Sequence, residues 1–156
     1  MNNDDITRQL YESIGMDAHK HDPDTAELTI SGNEVVGAHL IDGLEVDTEE
    51  RDDGIYVKIV ILENARIEKP VQLCFGMLPE TGLQHIYMNL DVRDGASASV
   101  VAHCTFPNAV EVEHLMDAEI TLGASASYSY FERHVHGPHG GVKLVPNAKI
   151  TLGEDS

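Results

Sequence analysis

Three stretches of the chain repeat one another: Arg93-Asp94-Gly95-Ala96-Ser97-Ala98-Ser99, Leu122-Gly123-Ala124-Ser125-Ala126-Ser127 and Leu152-Gly153-Glu154-Asp155-Ser156. Each breaks a run of alternating apolar residues with glycine and small side chains. The glycines at 95, 123 and 153 stand 28 and 30 positions apart. Asn64-Ala65-Arg66 and Gly32-Asn33 continue the series backwards at nearly the same interval. A turn recurring at this period, with strand-like sequence between turns, predicts a β-solenoid. In that architecture a repeat buries its apolar face only by stacking on its neighbours. The last repeat stops in mid-coil at Ser156.

The 156 residues are enough for one domain with a sizeable core. No apolar run is long enough for a transmembrane helix, so no membrane association is expected. The acidic start, Met1-Asn2-Asn3-Asp4-Asp5, is the reverse of a secretory signal. Cys74 and Cys104, the two cysteines, then read as reduced thiols of a cytoplasmic protein. The net charge is −17, and it is uneven: residues 1–53 carry 15 acids against 3 Lys/Arg, and the remainder 12 against 7. Such a surface repels phosphate backbones, which excludes nucleic acid as a partner. The acid excess reads as a solubility adaptation to saline surroundings and carries no chemistry.

Ile6, Leu10 and Ile14 recur at helical spacing behind Asp4 and Asp5, and Gly15 follows. This predicts one short amphipathic helix with acidic N-terminal caps and a glycine stop. Residues 19–25 form a polar linker in which His19 and His21 read as solvated. Residues 1–25 are thus a helix and linker, and 26–156 the solenoid. Leu28-Thr29-Ile30 reads as a strand, Glu45 to Gly54 as an acidic loop and Ile55 to Leu62 as a strand. From Val110 to Leu122 one parity is apolar, with His114 among it, and the other is acidic. That is a half-buried strand, long enough to suggest one bend. No helical periodicity appears after residue 15, so crossover helices are excluded and parallel strands must stack coil on coil.

The segment from Phe131 to Gly141 holds the densest chemistry. In a strand Glu132, His134 and His136 share a face, and His139 follows the turn. Two imidazoles and a carboxylate so placed can hold a transition metal. The alternative is a polar outer face with Phe131 and Val135 pointing inward. Stacking Gly95 over Gly123 puts Cys104 beside Glu132, His103 beside Phe131 and Phe106 beside His134. Thiol, imidazole and carboxylate together suit iron or an iron–sulfur unit. Against this, Cys104 shares its parity with Val100, Ala102 and Phe106, as a buried inert thiol would. His114 reads as a hydrogen-bonded core histidine rather than a ligand, and Cys74 as core. No nucleophile elbow, phosphate loop or C-x-x-C occurs. The acids at 111, 113, 117 and 119 read as a solvated strand face, and adjacent His103 and Cys104 point to opposite faces. No catalytic residue is assigned.

Four segments carry a family resemblance: Pro70-Val71-Gln72-Leu73-Cys74-Phe75-Gly76, Ala102-His103-Cys104-Thr105-Phe106-Pro107-Asn108, Met116-Asp117-Ala118-Glu119 and Tyr128-Ser129-Tyr130-Phe131-Glu132-Arg133-His134. In this order they resemble the SufB/SufD family, the scaffold components of Suf iron–sulfur assembly, and most of all the shorter SufB-like proteins of archaea and some bacteria. The resemblance runs from about Gly32 to the C-terminus. It implies a right-handed parallel β-helix, a non-enzymatic scaffold, a second SufB/SufD-type subunit as partner and a SufC-type ATPase that carries the nucleotide. It also implies iron or an iron–sulfur cluster as the cofactor. Family members continue into further coils and helices that hold the main assembly residues, so none of those maps onto a position here. Cys104, Glu132, His134, His136 and His139 therefore remain candidates from spacing. The competing reading is a stand-alone metal-binding module built on the histidine-rich turn at 132–139. An uncapped last coil further predicts oligomerisation.

Overall fold

The computed structural model describes residues 1–18 and 20–156, so His19 lies outside the described residues. The N-terminal helix, α1 (Asn3–Ser13), is capped by Asn2, whose side chain accepts from the Asp5 backbone N–H at 2.8 Å. Asp4 and Asp5, expected as caps, occupy the first turn, where the helix dipole favours acids. Gly15 follows the helix at φ +78°, a left-handed position that suits glycine. Leu10 and Ile14 are buried against Cys74, with Ile6, Tyr11 and Val135 around them. This clamps α1 onto the outside of the solenoid.

The strands are β1 (Glu27–Ser31), β2 (Glu34–His39), β3 (Leu44–Arg51), β4 (Gly54–Ile61), β5 (Val71–Gly76), β6 (Thr81–Val92), β7 (Ser97–Phe106), β8 (Glu111–Leu122), β9 (Ser127–His136) and β10 (Val142–Leu152). They form two five-stranded sheets, ordered β2-β1-β5-β7-β9 and β10-β8-β6-β4-β3. The β1–β2 and β3–β4 pairs are antiparallel hairpins, and every other pairing is parallel. From β5 onward each coil contributes one strand to each sheet, so the solenoid expectation holds. The inward-facing residues of both sheets meet in one core. Among the described residues no helix is long and apolar enough to cross a membrane.

Three local expectations are corrected. Residues 45–54, read as an acidic loop, are mostly strand β3 and its turn into β4. Their charges are those of an edge strand: Leu44 is buried and Val46 packs on the core, while Glu45, Asp47 and Glu49 face out. Acidic side chains on an edge discourage unwanted pairing. The strand expected from Val110 to Leu122 starts at Glu111 and runs without a shift of register, with no bend needed.

The third correction concerns the repeat itself. Val71, Val100 and Tyr130 stand in one ladder, and β6, β8 and β10 are offset by 30 residues throughout. The recurring left-handed turn position is held by Asn64 (φ 60°), Gly95 (φ 68°), Ser125 (φ 57°) and Asp155 (φ 57°). Gly123 and Gly153 occupy a different slot, one stacked on the other, where backbones approach too closely for a Cβ. Aligning Gly95 with Gly123 therefore misplaces the stacking by two residues. Because strand side chains alternate with period two, the error preserves which face each residue occupies.

Candidate metal centre in the solenoid lumen

Following the inner face of the first sheet along the solenoid axis, Ile30 is succeeded by Phe75, Cys104 and His134. The neighbouring ladder runs Leu28, Leu73, Ala102 and Glu132. The interior thus turns from hydrocarbon to thiol, imidazole and carboxylate as the coils advance. Cys104 pairs with His134, and the expected pairings of His103 with Phe131 and Phe106 with His134 are replaced by Arg133 and His136. The thiol still reaches Glu132, one position along the same face, and donates to its Oε1 at 3.3 Å.

Glu132 is the hub. Its Oε1 also meets His134 Nε2 at 2.6 Å, and its Oε2 accepts from the Tyr130 hydroxyl at 2.8 Å. Burial pushes the Glu132 carboxyl up, but hydrogen bonds from Tyr130 and Cys104, with His134 alongside, hold it below its ordinary value. The same carboxylate, after burial itself, raises the Tyr130 hydroxyl and the Cys104 thiol. Cys104 is 0 % exposed, so in this state it is a protonated thiol. The donor atoms of Cys104, Glu132 and His134 lie within 4.8 Å of one another. Such a set fits zinc or ferrous iron, and the ion would have to displace the thiol proton. Glu132 is placed to receive it.

His114 enters the lumen from β8, on the opposite sheet. It is 3 % exposed, and its ring lies 5.2 Å from Phe106 and 6.0 Å from His134, centroid to centroid. Its Nδ1 is 2.7 Å from Gln84 Oε1. Gln84 in turn donates from Nε2 to the carbonyls of Gly32 (2.7 Å) and Gly76 (3.2 Å). Burial, then the neighbouring His134, lowers the His114 pKa to about 4, with Glu132 opposing. The reading of His114 as a hydrogen-bonded interior histidine therefore holds.

The other histidines separate. His136 lies one step along the strand, its ring 6.5 Å from that of His134 and 6.3 Å from that of Phe106, outside the donor cluster. His139 lies beyond β9 in the turn, beside a shallow pocket with Pro79, Glu80 and Asn108. His21 sits at the surface against His39, ring centroids 4.4 Å apart. Phe131, read in one alternative as inward, is 61 % exposed, whereas Glu132 and His134 are part-buried. Cys74 is buried beneath α1, on the other face of its sheet from Cys104, and burial pushes its thiol up to about 12. A groove of about 610 Å³ lies away from this cluster on the outer face of the second sheet, against Tyr56, Tyr87, Lys58 and Lys149.

Gln84 was absent from the sequence-derived candidates. The available signal was the 30-residue offset, which puts Gln84 directly beside His114.

The class the structure defines is a parallel β-solenoid whose interior brings together a thiol, imidazoles and a carboxylate. No family profile matches the chain. Two curated proteins named Iron-sulfur cluster assembly SufBD family protein do. The one from Pyrococcus horikoshii is 27% identical over 148 residues, 95% of this chain and 45% of that protein. The one from Methanocaldococcus jannaschii is 27% identical over 127 residues, 81% of this chain and 40% of that protein. The chain is thus similar over most of its length to two proteins named for the SufBD family, as its segments indicated, and spans less than half the length of each.

Proposed function

We propose that this chain is part of a scaffold for iron–sulfur cluster assembly, with no catalytic turnover of its own. The observation that carries the reading is the Cys104–Glu132–His134 cluster, set inside a solenoid related to SufBD proteins over most of its length. A thiol and an imidazole suit iron, and a carboxylate beside the thiol provides for its proton. In this reading the nucleotide chemistry belongs to a SufC-type ATPase, and a second SufB/SufD-type subunit completes the scaffold, in the cytoplasm. Affinity purification of the natural protein with its bound partners tests it directly. The expected result is a complex containing an ABC-type ATPase. A protein recovered alone, with no ATPase even after crosslinking, would overturn the assembly role.

The competing reading, a stand-alone metal module on the 132–139 turn, draws less support because His139 lies apart from the donor cluster. Equilibrium dialysis with ferrous iron separates the two. A His134→Ala/His136→Ala variant and a His139→Ala variant would both lose binding under the turn reading, whereas only the first should lose it here.

A further inference from the structure

Among the described residues, two nitrogens of the lumen are buried without a hydrogen-bond partner: His114 Nε2 and His134 Nδ1. Their protonation follows from their neighbours. Gln84 Nε2 donates to two carbonyl oxygens, so a flipped amide would set oxygen against oxygen. Gln84 Oε1 is therefore the acceptor, His114 Nδ1 carries the proton, and His114 Nε2 presents a bare lone pair. At His134 the Nε2–H faces the Glu132 carboxylate, and Nδ1 is the nitrogen left without a partner.

An imidazole that gives one N–H to a carbonyl or carboxylate and keeps its other nitrogen free is the arrangement found around bound metals. Here it occurs twice, from opposite sheets. The ring centroids are 6.0 Å apart and the planes cross at 73°. With metal–nitrogen bonds of about 2.1 Å, two rings on a single ion have centroids roughly 5–6 Å apart. We propose that one zinc or ferrous ion is held by His114 Nε2, His134 Nδ1 and Cys104 Sγ, with Gln84 and Glu132 orienting the two rings; His114 lies outside the donor set that falls within 4.8 Å, so its ring must move toward Cys104 and His134 on binding. The inference rests on the lumen cluster of the proposed function but changes its donor set. Glu132 becomes a positioning residue, and β8 supplies a ligand. On binding, the sulfur–metal bond replaces the S–H bond, and the proton crosses to Glu132 Oε1 and then to water.

Cobalt(II) gives this site a visible spectrum. Anaerobic titration of the full chain near neutral pH should produce a thiolate-to-cobalt charge-transfer band and the ligand-field bands of a tetrahedral ion, the first lost in Cys104→Ser. His114→Ala should weaken cobalt affinity by at least about tenfold and move the ligand-field bands. Unchanged affinity and spectrum in His114→Ala would overturn the His114 assignment and leave the Cys104–Glu132–His134 set standing. No spectrum in the wild-type chain would remove both. Because replacing a buried ring perturbs folding, a long-range proton–nitrogen spectrum of the zinc-loaded wild type provides the second readout. It should show His114 protonated at Nδ1 and metal-bound at Nε2; an unligated Nε2 would overturn the proposal.

Discussion

Gln84 dictates which nitrogen of His114 carries the proton. The amide is tied to the carbonyls of Gly32 and Gly76 by its NH₂ group, and only its oxygen is left to face the ring. This joins the β1–β2 hairpin, the end of β5 and the first half of β8 through one buried side chain.

Replacing Gln84 by Leu therefore removes more than a contact. It strips the Gln84 partner from the Gly32 carbonyl and from the His114 ring N–H, while the Gly76 carbonyl keeps the Gly32 N–H; each lost partner costs about 1–3 kcal/mol when water cannot replace the bond. The expected loss is about 2–4 kcal/mol in urea unfolding. A loss under about 0.5 kcal/mol would mean that water reaches this site.

His114 imposes a pH dependence of definite sign. Its folded pKa of about 4 lies below the ordinary value of 6.5, so the unfolded chain binds a proton that the native one refuses. The stabilisation is complete above pH 6.5 and is lost as the pH falls from there through about 4, with a total on the order of 3 kcal/mol. His114→Gln should flatten the curve over that window relative to wild type. Equal slopes in the two proteins would show that the ring is not held neutral.

The turn can be tested by exchanging its occupants. Ser125 holds a left-handed backbone that costs a side-chain-bearing residue about 1 kcal/mol, so Ser125→Gly should leave stability unchanged or raise it slightly. Gly95→Ala meets that backbone penalty and also drives its Cβ into the Asn64 side chain. It should cost at least about 1–2 kcal/mol. Thermal unfolding of the two variants checks both signs.

The thiols should differ in how they open. Both are buried and held protonated, so native protein should react slowly with a disulfide reagent. Leu10→Ala loosens α1 over Cys74 and should speed labelling of that thiol alone. Mass mapping that found Cys104 labelled equally fast would show the lumen opening along with the helix.

These same residues explain what the sequence disclosed. Alternation from Val110 to Leu122 placed His114 inward correctly, because a strand's period of two is fixed by backbone geometry. Parity likewise kept Cys104 and Glu132 on one face although the stacking offset was misjudged. The offset itself was hidden because the left-handed turn accepts Asn64, Ser125 and Asp155 as well as Gly95, so glycines alone do not mark it. β3 was hidden for another reason: an edge strand has one face in water and reads as a loop. Gln84 is a polar residue in an interior slot, and only its exact neighbours account for it.

The ladder of Ile30, Phe75, Cys104 and His134 also governs traffic. On the β1 side the axis is filled by two fully buried hydrocarbon side chains, Ile30 and Phe75, and the Gln84 amide beside them is already committed to Gly32, Gly76 and His114. An ion approaching Cys104 along the axis from β1 would have to shed its water against Ile30 and Phe75, so the thiol is shut off from that end of the solenoid.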